Sequence, residues 1–403
     1  MADGTHPLAS SCILFSTADW DEPYWTNKQH CAKSLAEQGI RVLYVESVGL
    51  RKPKRGSGRD WRRLFDRLLK GLSSFVFGAR ERSPGVFVLS PLVVPAGYRN
   101  RLLKRLNCGL LRLAIRRSMK RYGLLRPVVW TYHPFMLDEI KEVSGSGLLY
   151  HCVDDLAALP GVYAQVFRAA EIQLLKRADT VFVTAATLGD TCRKHNPDTH
   201  YLPNVVDVEH FGRAYQDAPL PADLTPIPEP RLVYHGVLSD FKINFELLLA
   251  CAHSRPAWQW VFIGEEREGQ RSALVAELAA LPNVHCLGYR AYEVLPDYLR
   301  GMQVGLLPSR LNEYTRGMFP MKYFEYVAAG LPVASTRLAF TESTSQGLAV
   351  GNDPEAFVRA IETQLAAGRL TVQQSREYVG ENTWERRTRK MLETLIARRG
   401  AQQ

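Results

Sequence analysis

Residues 319–335 read FPMKYFEYVAAGLPVAS, and the middle of this stretch carries the marks of a short amphipathic helix. Pro320 suits a first helical turn, where its missing N–H is not needed, and Gly330 suits the left-handed residue that ends a helix. After Pro332 the run VAST has the small, β-branched content of a buried strand, and VGLLP at 304–308 reads as a strand as well. Strand, helix and strand in that order make a crossover unit whose two strands run parallel. Lys322 and Glu325 are set into the apolar helix. They are three residues apart, so one reading is a solvated ion pair worth a few tenths, ~0.3 kcal/mol. The neighbours of Glu325 are Tyr323, Phe324, Tyr326, Val327 and Ala328, and a carboxylate in that company needs donors. Ligand hydroxyls would serve.

The same alternation runs through the chain. CILFS, VLYVE, VFVLS, VVWTY, LLYHCV and TVFVT lie in the first half, most of them separated by helical patterns. Residues 215–230, YQDAPLPADLTPIPEP, hold five prolines and no clear periodicity, which reads as an interdomain linker. The alternation then restarts with RLVYHG, WQWVFIG, VHCLG, VGLLP and PVAST. The expected fold is α/β, with two Rossmann-like doubly wound domains in tandem, residues 1–215 and 225–375. Residues 376–403 read as a C-terminal helix returning to the first domain. Open parallel sheets bind ligands outside the carboxyl ends of their strands, so two such domains facing each other define a cleft.

The chain has 403 residues, 46% hydrophobic and 23% charged, with a net charge of +10. That composition is globular, and the charge points to an anionic partner without naming it. Seven cysteines with no CxxC pair exclude a disulfide framework and a zinc finger, which fits a reducing cytoplasm. No run is long enough to span a bilayer, and the N-terminus lacks the pattern of a signal peptide. Two segments, 51–71 and 99–123, carry nine Lys or Arg each, against two acids, Asp60 and Asp66. Leucines and aromatics interleave with the charge at helical spacing. This is the pattern of helices lying on an anionic membrane surface, here the inner face of the plasma membrane. A solvated basic face over an ordinary core stripe is the plainer reading. Without a recognised nucleic-acid motif, no nucleic acid is expected as partner.

Several residues are placed to do chemistry. In SRLNEYTRGM, Thr315, Arg316 and Gly317 approach a helix start and offer N–H groups and a guanidinium to a phosphate. YHGVLSDFKINFELL is a strand, a glycine turn at Gly236 and a lysine, Lys242, at a helix start, which suits an anion; a solvated helix-entry lysine is the alternative. His133 ends the strand VVWTY and faces the ligand-binding end of the sheet. Asp154 and Asp155 follow the next strand; one would orient or deprotonate a hydroxyl, or Asp155 would cap the following helix. Asp19-Trp20-Asp21 matches a metal-binding DxD pattern, read here as coincidence. Trp20, Tyr24 and Trp25 either stack on sugars or pack the first domain.

Taken together these stretches resemble the GT-B glycosyltransferases, in particular retaining enzymes of glycosyltransferase family 4 and bacterial cell-surface polysaccharide transferases of the teichuronic acid type. The resemblance rests on PMKYFEYVAAGLPVAST, LPNVVDVEHF (202–211), HGVLSDFK, LYHCVDDLAALPG and STADWDEPYWTNKQH, and it covers most of the chain. It implies a nucleotide-diphosphate sugar as donor substrate, a sugar or lipid-linked glycan as acceptor, and neither cofactor nor metal. Glu325 would hold the donor ribose and Lys242 the leaving diphosphate. The turn after Gly288 would read the base through Tyr289 and Arg290, and His133 would lie near the reacting sugar. Three departures stand out. Gly317 occupies the place of a carboxylate that contacts the transferred sugar, Val237 that of a phosphate-binding arginine, and no glycine occurs between Cys12 and Gly39. Arg316 or Lys322 would supply the missing cation. A sugar-nucleotide epimerase of the same fold and a non-catalytic basic membrane-binding protein are the competing readings.

Overall fold

A computed structural model describes residues 9–47, 69–92, 101–136, 145–267 and 271–401. The chain divides into two units. One contains residues 1–184, 188–202 and 385–403, the other 185–187 and 203–384.

The sheet of the first unit is built from β1 (Ser11–Phe15), β2 (Arg41–Val45), β3 (Arg80–Ser83), β4 (Val86–Leu89), β5 (Val128–Thr131), β6 (Leu148–Cys152), β7 (Thr180–Val183) and β8 (Thr199–Tyr201). They lie in the order β3-β4-β2-β1-β5-β6-β7-β8, parallel except for the β3–β4 pair. β1, β4, β5, β6 and β7 are buried along their whole length, as expected of strands covered on both faces. β3 was not legible as a strand. Its residues RERS are charged because it closes the edge of the sheet, where charge discourages pairing with another chain.

The second unit holds β9 (Arg231–His235), β10 (Gln259–Ile263), β11 (Val284–Cys286), β12 (Val304–Leu307), β13 (Val333–Ser335) and β14 (Leu348–Val350). All are parallel, in the order β11-β10-β9-β12-β13-β14. Renumbered within the unit this is 3-2-1-4-5-6, the order of dinucleotide-binding sheets. The two-domain, doubly wound α/β architecture expected from the alternation is therefore present.

The division does not fall in the proline-rich stretch. Leu224 and Ile227, read above as parts of a linker, are buried in the core of the second unit with Val206, Phe211, Tyr323 and Phe324. Arg231 at the start of β9 donates to the Ile227 carbonyl at 2.6 Å. Prolines break periodicity but do not prevent burial, so poor patterning was mistaken for a linker. The chain passes into the second unit after Leu202, and residues 385–403 are grouped with the first. There the helix Trp384–Gly400 bonds to the helix Asn27–Glu37 through Thr388 and Ser34 (3.1 Å) and through Arg387 and Asn27 (2.7 Å). Among the described residues no helix is long and apolar enough to cross a membrane.

If residues 215–230 are core, Leu224→Ala will destabilise the protein by about 2–5 kcal/mol. Urea denaturation followed by circular dichroism measures this; a linker residue would change stability by no more than about 0.5 kcal/mol.

Candidate functional site

In the second unit β9 and β12 are hydrogen-bonded neighbours, yet the chain leaves β9 toward β10 on one side and β12 toward β13 on the other. A crevice opens at the carboxyl ends of such a pair. Its walls are the loops after β9 and after β12, and they are tied together. Arg310 N–H donates to the Lys242 carbonyl (2.8 Å), Asn244 N–H to Pro308 (2.8 Å), and the Asn312 side chain to Phe241 (2.8 Å). Gly236, at the end of β9, has φ +112° and donates to Ile263 of β10 at 2.8 Å. Gly264, with φ +155°, lies so close that a Cβ there would sit 1.9 Å from the Gly236 carbonyl oxygen. Only glycine fits, because the two chain reversals share one space.

Into this crevice the helix Met321–Ala328 presents Lys322 and Glu325. The helix packs Tyr323, Phe324, Tyr326, Val327 and Ala328 inward, which leaves the Lys322–Glu325 side facing the end of β9. The tip of Lys322 lies against Gly236, within 2.9 Å of where a Cβ would be, and its ammonium stands 5.4 Å from the centroid of the Tyr234 ring. Glu325 has about a tenth of its side chain exposed. One oxygen is 3.3 Å from His235 Nε2, without the alignment of a full hydrogen bond. Burial pushes the Glu325 carboxyl up to about 7, opposed by the attraction of Lys322. The same burial lowers Lys322 and, helped by the Lys322 charge, keeps His235 neutral. The solvated ion pair of the plainer reading is absent. Instead a carboxyl with unused acceptor positions and a half-buried ammonium sit at the switch point.

Residues 229–367 match the family model Glycosyl transferases group 1. The match lies within the second unit. The match contains the whole cluster around Glu325. TuaH of Bacillus subtilis (strain 168), named as a teichuronic acid biosynthesis glycosyltransferase, is 26% identical over 236 residues, 54% of this chain and 58% of that protein. The chain thus spans less than two thirds of that relative. Among solved structures, sucrose-phosphate synthase from Thermosynechococcus elongatus superposes with a TM-score of 0.63 at 19% identity, covering 98% of both chains. HepE of Anabaena, in complex with UDP and glucose, gives 0.58 at 15%, covering 98% of this chain and 99% of that one. These likenesses establish the fold.

The GT-B chain distributes the remaining expected residues as follows. Lys242 lies on the loop after β9, its ammonium 4.8 Å from the centroid of Tyr314. Thr315 is buried, and its N–H and hydroxyl are used in a reciprocal cap with Asn312 (2.9 and 3.0 Å), so its side chain supports the loop. Arg316, one residue on, is exposed. Gly317 caps the short helix Glu313–Arg316 with an ordinary negative φ of −92°. Gly288, with φ +73°, turns the chain after β11. Arg290 beyond it is held by Asp223 (2.6 Å) and the Tyr298 hydroxyl (2.7 Å), which commits its guanidinium to the proline-rich stretch.

His133, Asp154 and Asp155 belong to the first unit. His133 lies beyond β5, the neighbour of β1, at the corresponding switch point of that sheet. It is buried, accepts from Phe135 N–H at 3.3 Å and bonds the Ser16 carbonyl, and burial pushes its pKa down to about 4. It is a neutral group. Asp155 caps the turn Leu156–Ala158 and pairs with Arg168 at 2.5 Å. The Asp154 carboxylate makes no hydrogen bond or ion pair among the described residues. Asp21 is taken by Arg82 and Lys70, and no three His, Cys, Asp or Glu among the described residues gather as metal ligands. Trp20 is a packing residue, buried against Tyr44 and Trp25.

Sequence reasoning missed His235, Tyr234 and Tyr292. The Tyr292 phenol is held above its usual pKa by burial and by the charges of Glu325 and Asp207, and its ring stacks on His210 at 4.1 Å. The stretch 202–211 therefore builds a wall of the site. Asn204 adds to it by donating to the Phe319 carbonyl just before the helix. The only sequence signal for His235 was its place between a strand and a glycine.

The proton balance of Glu325 is testable. Its carboxyl keeps its proton to about pH 7 in the folded chain and loses it near the usual 4.5 when unfolded. Between these values the folded state binds more protons, so its stability falls as pH rises through this window and stays reduced above it. Glu325→Gln will therefore gain stability relative to the parent between pH 5 and pH 8, by up to about 3 kcal/mol. Denaturant titrations at the two pH values give the answer. A variant that loses ground at pH 8 would mean the carboxylate is ionised and well paired.

Proposed function

We propose that this protein is a glycosyltransferase that moves a sugar from a nucleotide-diphosphate donor to an acceptor hydroxyl. The observation that carries the reading is Glu325, a nearly buried carboxyl at the switch point whose oxygens the protein leaves largely without donors. The two hydroxyls of a ribose are donors of the right kind, and their hydrogen bonds favour the ionised form. The similar proteins support the same chemistry. HepE was captured with UDP and glucose, and TuaH is named for transfer in teichuronic acid biosynthesis. A uridine diphosphate sugar is the donor we favour. Bacterial surface polysaccharide or glycolipid assembly is the setting, with a sugar or lipid-linked glycan as acceptor.

In this scheme the chain's positive charge does the work at the leaving group. Lys322 lies beside the Gly236 turn, which we assign to the diphosphate. Lys242 and Arg316 come from the loops after β9 and β12. Together they replace the arginine whose place Val237 takes. Stabilising the diphosphate as the anomeric bond loosens lowers the barrier, since preorganised charge costs no reorganisation in the transition state. Tyr289 after Gly288 is assigned to the base, with Arg290 fixing that turn through Asp223. Asp154 is assigned to the acceptor hydroxyl. His133, neutral and already bonded to the Phe135 N–H and the Ser16 carbonyl, is assigned to packing near the reacting sugar. Retention of anomeric configuration follows the family resemblance.

Calorimetric titration with UDP, GDP and ADP tests the donor site. We expect UDP to bind best, and Glu325→Ala to weaken it by about 1–3 kcal/mol, the range for hydrogen bonds to a charged group. Because ligand hydroxyls favour ionised Glu325, binding near pH 6.5 should release protons, read as a dependence of the heat on buffer ionisation. The release should vanish in Glu325→Gln. No binding of any nucleotide would remove the proposal.

A further inference from the structure

The described part of the basic segments has a property that a solvated face does not require. Residues 51–68 and 99–100 lie outside the described residues, but the helix Arg101–Tyr122 is present and carries eight Lys or Arg and no acid. Its core face is Cys108, Leu111 and Ile115, all buried. At about 100° per residue, Leu102, Leu106 and Leu113 fall within about 40° of one another, on the side roughly opposite that core face. They are 73%, 50% and 40% exposed. Arg105 and Arg116 lie along one edge of this stripe, Arg117 and Arg121 along the other, all exposed. A single exposed leucine is ordinary, but a leucine stripe bordered on both sides by arginines is what an interfacial helix presents.

Residues 69–77, also helical, pack against this helix. Arg117 lies over the Phe75 ring at 5.5 Å, and Arg121 donates to the Phe77 carbonyl at 2.8 Å. This second helix adds exposed Leu69, Leu72, Val76 and Phe77. Between the two is a cavity of about 300 Å³ lined by Phe75, Phe77, Arg117, Ser118 and Arg121.

We propose that this face of the first unit docks on an anionic lipid bilayer, with the leucine stripe entering the acyl boundary and the bordering arginines contacting lipid phosphates. Charge complementarity selects this occupant: a helix with eight cations and no anion repels a basic partner and gains no attraction from a neutral one, while its apolar stripe has no use on a solvated polyanion. The inference holds whatever the donor site binds.

Co-sedimentation with vesicles decides it. The full chain should bind vesicles of equal parts phosphatidylcholine and phosphatidylglycerol, less so as salt rises, and not bind phosphatidylcholine alone. Arg105→Glu/Arg116→Glu should lower the partition coefficient by about tenfold or more. Leu106→Asp/Leu113→Asp should do so independently with an unchanged far-ultraviolet circular dichroism spectrum, since both residues are exposed. Absence of binding, or equal binding to both vesicle types, overturns the proposal. So does loss in the arginine variant alone together with capture of a duplex oligonucleotide by the parent, which marks a polyanion site without lipid insertion.

Discussion

At the carboxyl ends of β9 and β12 two parallel neighbours send the chain away in opposite directions, and everything of functional interest in the second unit follows from that geometry. The loops that would otherwise cross there must part, and their backbone groups need partners. Gly236 and Gly264 supply the tight reversals. The bonds from Arg310, Asn244 and Asn312 then lock the loop after β9 to the loop after β12. The two loops are thereby held against each other at the carboxyl end of β9.

Burial sets the chemistry there. Glu325 and Lys322 lie one turn apart on a helix whose other faces are aromatic, and neither completes an ion pair with the other. Each is pushed toward its neutral form by the apolar surroundings and pulled back by its partner's charge. Such a pair is costly unless something else supplies hydrogen bonds. The proposed donor, with its hydroxyls and diphosphate, would answer both demands at once. His235 contributes by staying neutral, so that it adds no charge to the balance.

The first unit uses the same fold differently. Its switch-point histidine, His133, is satisfied by Phe135 and Ser16, and its carboxylates divide between support and availability. Asp155 is absorbed in a cap and an ion pair, whereas Asp154 is not. The basic helix over this unit has two apolar sides, one spent on the core and one exposed. A solvated helix needs only the first.

Much of this was legible in the chain's residues. Alternating apolar runs and helical patterns prescribe parallel sheets, because a strand buried on both faces must be apolar throughout. The helix at 321–328 was bounded by its proline and glycine, and Glu325 was conspicuous as a carboxylate among aromatics. Tertiary structure alone decided the rest. The proline-rich stretch joined the second core because burial depends on what packs against a segment and not on its periodicity. Thr315 and Arg290 were drawn into structural bonds by Asn312 and Asp223, partners distant or unmarked in sequence. His235 and Tyr292 entered the site because strand order and a turn lying two helices and two strands beyond the end of β9 bring them beside Glu325. Local composition determines which elements form; which side chains meet is decided only when the sheet order places distant chain reversals in one crevice.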